Sequence, residues 1–511
     1  MPTFASERRW LVLFVLCIAV FLVVVDNTIV NVALPTISRD LHASNSSLQW
    51  IVDGYSLPFA GLLLAGGGLS DRWGRKRVMQ MALFAFAAFS ILAAFSHNVT
   101  TLLTGRALMG ASAAFIFPAT LSTLTVVFED RRERAKAFGF WGATTGIAIA
   151  LGPIGGGLLL RHFYFGSIFL VNVPVALIGV VAIASVVPES TNPDRHRLDL
   201  GGLLLGTAGV TALILAIIQG PSWGWRSSPT LVLFGAAVLL LSGFANYELG
   251  REGPLMNVRI FSNRTYAASA GAMATNFFCL FGFIFLVTQY FQLVRGYSPL
   301  SAGVHTLPYA FTVMVATPLG VLAALRLGNR FVVSIGLLVT AAALAWLSMM
   351  SADAAYVGPI IGSMITLAVG FSLVNAPSVA ATMDTLELDQ LGAGAAGNET
   401  TRELGGTLGV AIIGSVFASL FGPAVRRAFR GLSGRQLNVA QSSMEAAKTT
   451  LTHFPASAQT YLAPKLTAAF MDGFHRGCLV AAITALVVAI VVFCYLPAGN
   501  TSPESELVLE Q

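Results

Sequence analysis

Gly67-Gly68-Leu69-Ser70-Asp71-Arg72-Trp73-Gly74-Arg75-Lys76-Arg77 packs five charges into seven positions between two long apolar runs. Around it lies a chain of 511 residues, 55% hydrophobic and only 11% charged. Soluble domains carry about 25% charged residues, so this composition excludes an ordinary soluble protein. Apolar runs of about 20 residues recur from end to end, each long enough to cross a bilayer core about 30 Å thick. In lipid, backbone polar groups must be satisfied within the segment, so the runs are helices. The charged cluster is then a short turn at a membrane face.

Working outward, the hydropathy places spans at 11–33, 48–68, 78–96, 101–127, 137–159, 166–187, 198–218, 230–248, 266–288, 301–324, 331–350, 357–381, 394–421 and 473–497, fourteen in all. The basic residues test that count. With a cytoplasmic N-terminus, the inner segments hold seventeen Lys and Arg, from Arg8 and Arg9 through the first cluster to Arg326 and Arg330. The short outer loops hold four: Arg39, Arg161, Arg226 and Arg295. That asymmetry is a strong positive-inside signal. The stretch 424–472 disobeys it; long translocated loops weigh little in the rule, and its patterning predicts an external hairpin or surface helix. The apolar stretch after Arg8 and Arg9 lacks a small-residue cleavage site and reads as a retained first span. Gly320-Val321-Leu322, with Arg326, Gly328 and Arg330, echoes the first cluster without its acid. The two copies stand eight helices apart. Two halves of six helices with two more inserted between them, near 198–248, give that spacing.

Ionisable residues inside spans are costly and mark functional sites. Asp26 lies deep in the first span and Asp53 a turn inside the second. Burial disfavours the charged carboxylate and a nearby cation favours it. One such site holds a proton or a cation, but not both well, which is the simplest physics of exchange. The bland reading makes each a structural hydrogen-bonder or a cap near the outer face. Arg106 opens the fourth span; buried, it needs a partner, with Asp26 and Asp53 the candidates, or else it snorkels to the interface. Arg402 and Glu403 near the thirteenth span neutralise each other locally. His305 either titrates or is a satisfied core histidine. Phe277, Phe278, Phe281, Phe283 and Phe285 crowd the ninth span, lining a cavity for flat or cationic ligands or facing lipid. The four cysteines, Cys17, Cys279, Cys478 and Cys494, lie in apolar runs and form no CxxC pair, which argues against a disulfide or metal framework. No phosphate-binding loop, dinucleotide fingerprint or metal-ligand cluster is visible, so no cofactor is expected and the chain does not read as an enzyme. The formal charge of +6 reflects the inner turns and does not argue for nucleic-acid binding.

The cluster G-x-L-x-D-R-x-G-R-K resembles the loop signature of the major facilitator superfamily of transporters. Leu102-Leu103-Thr104-Gly105-Arg106-Ala107-Leu108-Met109-Gly110 is similar to that family's second signature, whose arginine is implicated in proton coupling. Gly142, Gly146, Gly152-Pro153 and Gly155-Gly156-Gly157 resemble the signature of its antiporter branch. Weaker echoes are Phe169-Leu170-Val171-Asn172-Val173-Pro174, Gln289-Tyr290-Phe291-Gln292, Gly303-Val304-His305-Thr306-Leu307-Pro308 and Asn398-Glu399-Thr400-Thr401-Arg402-Glu403-Leu404-Gly405-Gly406. Together they resemble the fourteen-helix drug:proton antiporters, including bacterial quaternary-ammonium and multidrug exporters.

The resemblance implies an all-α integral membrane protein of the major facilitator fold. It implies a first six-helix bundle at 1–190, two added helices at 191–250, a second bundle at 251–497 with the outer loop 424–472, and a cytoplasmic tail at 498–511. The implied activity is proton-coupled export of amphiphilic, cationic drugs or dyes by a monomer in a bacterial cytoplasmic membrane, both termini cytoplasmic. The resemblance assigns coupling to Asp26, Asp53 and Arg106. Gly67, Asp71, Arg72, Gly74, Arg75 and Lys76 become a latch on one access state, or topogenic charge alone. Gly142, Gly146, Gly152, Pro153 and Gly156 become helix packing, with Asn398, Arg402, Glu403 and His305 as further candidates. Two alternatives stay open: a dedicated exporter of one endogenous metabolite, and a non-transporting membrane sensor or scaffold.

Overall fold

The apolar runs fold as helices in the computed structural model, which describes residues 6–41, 43, 45–191, 199–251, 258–386, 391–429, 434, 437, 440–441 and 444–497. In chain order they are α1 (Ser6–Leu41), α2 (Asn45–Trp73), α3 (Arg75–Ala94), α4 (Val99–Val127), α5 (Arg131–His162), α6 (Ser167–Leu170), α7 (Asn172–Val186), α8 (Leu200–Trp223) and α9 (Ser228–Leu249). Then follow α10 (Arg264–Gln289), α11 (Pro299–His305), α12 (Leu307–Leu327), α13 (Asn329–Leu347), α14 (Ile361–Asp384), α15 (Leu391–Ala428), α16 (Met444–Leu451) and α17 (Ala456–Tyr495). No strand occurs among the described residues. Thirteen helical stretches among them are long and apolar enough to cross a membrane, and the protein is a multi-pass membrane protein. The remaining expected span, 48–68, is the middle of α2, an uninterrupted helix diluted by Asp53, Pro58 and five glycines.

Prolines shape the spans locally. The span expected at 301–324 lies within the stretch Leu300–Leu327, with a local turn between α11 and α12 because Pro308 in the first turn of α12 has no N–H to continue the ladder. The span expected at 166–187 is the stretch Ser167–Val186, with a similar turn at Val171, where Pro174 offers no donor to the Leu170 carbonyl. The stretch 424–472, expected as an external hairpin or surface helix, is helical over 424–428, 444–451 and 456–472 among the described residues. α15 and α17 are 38 and 40 residues long, about 57 and 60 Å at 1.5 Å per residue, twice the thickness of a bilayer core. The mixed pattern read as a surface helix at 457–470 is the first third of α17. Phe417, Phe421, Phe470 and Phe474 stack along the two helices.

α1 to α7 pack mainly with one another, through α2 on α4, α1 on α5 and α3 on α4 and α7. α10 to α17 form a second group, through α13 on α14 and α17, α10 on α15 and α12 on α14. The groups meet along two seams. On one side α5 lies against α11, α12 and α14; on the other α15 lies against α2 and α4. α8 and α9 are central in sequence but peripheral in space: α8 covers the second seam against α2 and α15, and α9 leans on α8. The outer side of α9, with Leu231, Val232, Val238 and Leu239, stays exposed, as a lipid-facing helix requires.

The two copies of the charged turn share a backbone. Gly74 separates α2 from α3 at φ 100°, and Gly328 separates α12 from α13 at φ 84°. Left-handed φ favours glycine, so one turn residue fixes the same helix–turn–helix in both groups. Ion pairs gather the basic turns at one end: Arg9 to Glu133 at 3.2 Å, Arg134 to Asp384 at 2.6 Å and Arg251 to Asp199 at 3.4 Å. At the other end the Arg295 Nη1 donates to the Ala354 carbonyl at 3.1 Å and the Tyr356 hydroxyl to the His305 carbonyl at 2.8 Å.

Candidate functional site

Asp26 and Arg106 meet in the first group, both wholly buried. Arg106 Nη1 donates to Asp26 Oδ2 at 2.6 Å, and Asn172 Nδ2 on α7 donates to Asp26 Oδ1 at 2.7 Å. Arg106 Nε donates to the Ile51 carbonyl at 3.2 Å, and the guanidinium lies 4.3 Å from the Tyr55 ring centroid. Four helices, α1, α2, α4 and α7, are thus tied through one carboxylate and one guanidinium. Arg106 does not snorkel. Its remaining Nη2 has no hydrogen-bond partner among the described residues. Asp53 belongs to α2, two residues beyond Ile51; its side chain lies outside the described residues.

A second charged group sits on α15. Arg402 Nη2 lies 2.7 Å from Glu399 Oε2 and 3.4 Å from Glu403 Oε1. Arg402 thus pairs with Glu403 and with a further acid. Glu399, one helical turn back, is the closer partner, and two acids share one guanidinium. With every group ionised, Asp26, Glu399 and Glu403 exceed Arg106 and Arg402 by one negative charge. Asn398 is wholly buried beside them, and neither polar atom of its amide has a partner among the described residues.

A small cavity lies between the two groups of helices, walled by Tyr55, Phe59 and Phe117 on one side and Phe277, Phe281, Arg402 and Glu403 on the other. Tyr55 joins it to the Asp26–Arg106 pair. A second, larger cavity shares Thr28 and Ile149 with the first and is lined mostly by apolar residues, including Phe283, Phe291 and Tyr309. Of the five phenylalanines crowded on α10, Phe277 and Phe281 line the first cavity, Phe283 the second, Phe278 is buried and Phe285 half-buried. His305 is remote from the charges. Its Nδ1 lies 2.6 Å from the Ser301 carbonyl, and its ring packs on Tyr297 and Tyr356 at 4.4 Å each.

The α5 glycines form the seams that enclose these cavities. A Cβ on Gly152 would stand 2.0 Å from Thr28 Oγ1, and one on Gly156 2.8 Å from Ile29 Cγ1, both on α1. On Gly146 it would stand 2.2 Å from Val313 Cγ1 on α12, and on Gly142 3.3 Å from Asn375 Nδ2 on α14. Pro153 lines the larger cavity without breaking α5. The charged turn is tied down too. Arg75 pairs with Asp71 at 2.8 Å, Arg75 N donates to the Ser190 carbonyl at 3.0 Å, and Lys76 Nζ donates to the Ala184 carbonyl at 2.6 Å. The cluster thus clamps the end of α7, with Gly67 buried in α2 and Arg72 left exposed.

Glu399 and Asn172 stand out less in the sequence, although they lie within the motif-like stretches 398–406 and 169–174. Phe59, Phe117 and Tyr55 carry no sequence signal, since an aromatic residue on an apolar helix does not announce which face it occupies.

The Major Facilitator Superfamily profile matches residues 16–410. The chain is 33% identical over 490 residues to the multidrug efflux pump LfrA of Mycolicibacterium smegmatis, covering 96% of this chain and 97% of that protein. It is 33% identical over 420 residues to the tetracenomycin C resistance and export protein of Streptomyces glaucescens, covering 81% of this chain and 77% of that one. Among solved structures, the human organic anion transporter MFSD10 superposes with a TM-score of 0.63 at 13% identity, covering 96% of this chain and 100% of that one. The last likeness concerns the fold alone.

Proposed function

The chain belongs to the major facilitator superfamily, and from that premise we propose that it exports amphiphilic, cationic organic compounds in exchange for protons. The observation that carries this reading is the wholly buried Asp26–Arg106 pair, tied by Tyr55 to an aromatic cavity that Arg402 and Glu403 also line. Relatives with efflux and export in their names support the direction of transport. The basic turns gathered at one end support a bacterial cytoplasmic membrane with both termini cytoplasmic. A proton reaching Asp26 from outside neutralises the carboxylate and loosens its hold on Arg106 and Asn172. Four helices then lose a common tie, and the balance between the two access states shifts. Asp53, two residues beyond the Arg106 contact on α2, is the second acid in this scheme. The charged turn at Gly74 holds α2, α3 and α7 together as the latch of one state.

Ethidium movement in proteoliposomes under an imposed proton gradient tests the reading. Wild type should move dye and protons in opposite directions, and Asp26→Asn and Asp53→Asn should each abolish the proton-driven component. Wild type that ignores ethidium and other cationic dyes would sink the cationic multidrug reading. A dedicated exporter of one endogenous compound would then lead, a reading favoured by the likeness to the tetracenomycin C protein.

A further inference from the structure

Arg402 fills a place built for a cation. Its Cζ lies 4.4 Å from the Phe117 ring centroid and 5.1 Å from that of Phe277. The first ring comes from α4 and the second from α10, on opposite sides of the seam. Glu399 and Glu403 supply two carboxylates to the same guanidinium. Two aromatic faces and two acids around one delocalised charge form the chemistry that recognises an organic cation. Four of these residues, Phe117, Phe277, Arg402 and Glu403, face the cavity directly.

The resident is held at its tip and not at its root. Arg402 Nε has no hydrogen-bond partner among the described residues. One turn back on the same helix, the unpartnered amide oxygen of Asn398 offers an acceptor. The guanidinium therefore has somewhere to go without leaving the helix face it occupies.

We propose that this cage is the subsite for the cationic centre of the cargo, and that Arg402 is an intramolecular stand-in which the cargo displaces. The inference rests on the export reading and adds a specific occupant and a specific consequence. When empty, the site keeps its two buried carboxylates paired by Arg402. When cargo enters, Arg402 leaves the Phe117 ring, and a contact joining the two groups of helices is lost in the same event. When cargo departs, Arg402 returns and closes the site against a second cation.

The test is a calorimetric titration of the purified full-length protein with tetraphenylphosphonium. Arg402→Ala should bind it about tenfold tighter than wild type, the size of one desolvated cation–π competition removed. Methylguanidinium should compete with tetraphenylphosphonium in that variant and have no effect on wild type. Arg402→Lys keeps the charge but loses the planar stacking face, so its affinity should fall between the two; it also supplies the reading if Arg402→Ala does not fold. Equal or weaker binding in the variants, or variant binding that methylguanidinium leaves unchanged, overturns the inference. The export reading fails separately. Wild-type proteoliposomes that move no cation under a proton gradient overturn it, while competition in Arg402→Ala would still establish the cage.

Discussion

Arg106 shows how much one residue decides in this protein. It accepts nothing and donates to Asp26 and to the Ile51 carbonyl while lying on Tyr55. Removing one partner of a buried pair costs about 3–5 kcal/mol, because the other charge stays behind in low dielectric. Arg106→Ala should therefore lower the thermal unfolding midpoint in detergent by several degrees, and adding Asp26→Asn to it should recover part of the loss. An Arg106→Ala protein that melts with wild type would show that the pair does not hold the four helices. Asp26 and Arg106 were legible in the sequence because a charge in an apolar run is conspicuous. That Asn172 completes the site was not, since an amide near the start of a span has many structural uses.

Among elements, α5 carries the clearest contrast. Its glycines look alike in sequence, and their surroundings differ. A methyl group at Gly152 would collide with Thr28, whereas at Gly155 nothing lies within 4 Å. In membranes, helix association depends on close packing of small residues, not on a hydrophobic drive. Gly152→Ala should cut transport sharply while the protein still reaches the membrane, and Gly155→Ala should transport like wild type. Equal rates for the two variants would remove α5 close packing from the mechanism. The GP-x-GG pattern announced a packing helix. It could not reveal that Gly152 and Gly156 face α1 while Gly142 and Gly146 face α14 and α12, because that depends on where the other helices lie.

For the whole molecule, the question is what holds the two groups of helices together at each end. At the basic end, Arg134 on α5 meets Asp384 on α14 at 2.6 Å, each about one-fifth to one-quarter exposed at 20% and 24%. Such a partly exposed pair contributes about 0–1 kcal/mol, little for stability but enough to tilt two states of near-equal energy. Arg134→Glu should widen the distance distribution between spin labels on the basic ends of α5 and α14. The double reversal Arg134→Glu with Asp384→Arg should narrow it again. A distribution that ignores the single reversal would take this pair out of the gate.

The amino-acid sequence by itself determined the helical class, the spans, the doubled charged turn and the intramembrane place of Asp26. These follow from local terms: backbone satisfaction in lipid, the expense of intramembrane charge and the φ freedom of Gly74 and Gly328. Only the tertiary structure decided that Asp26 takes Arg106 and Asn172, that Glu399 is the closer partner of Arg402, and that Phe117 and Phe277 enclose it from opposite sides. It also decided how far α15 and α17 run on as helices, 38 and 40 residues, into the stretch expected as an external hairpin or surface helix. Those outcomes depend on how each helix is rotated and which neighbour it meets, and on a helix that is apolar nearly all round the sequence carries almost no record of either.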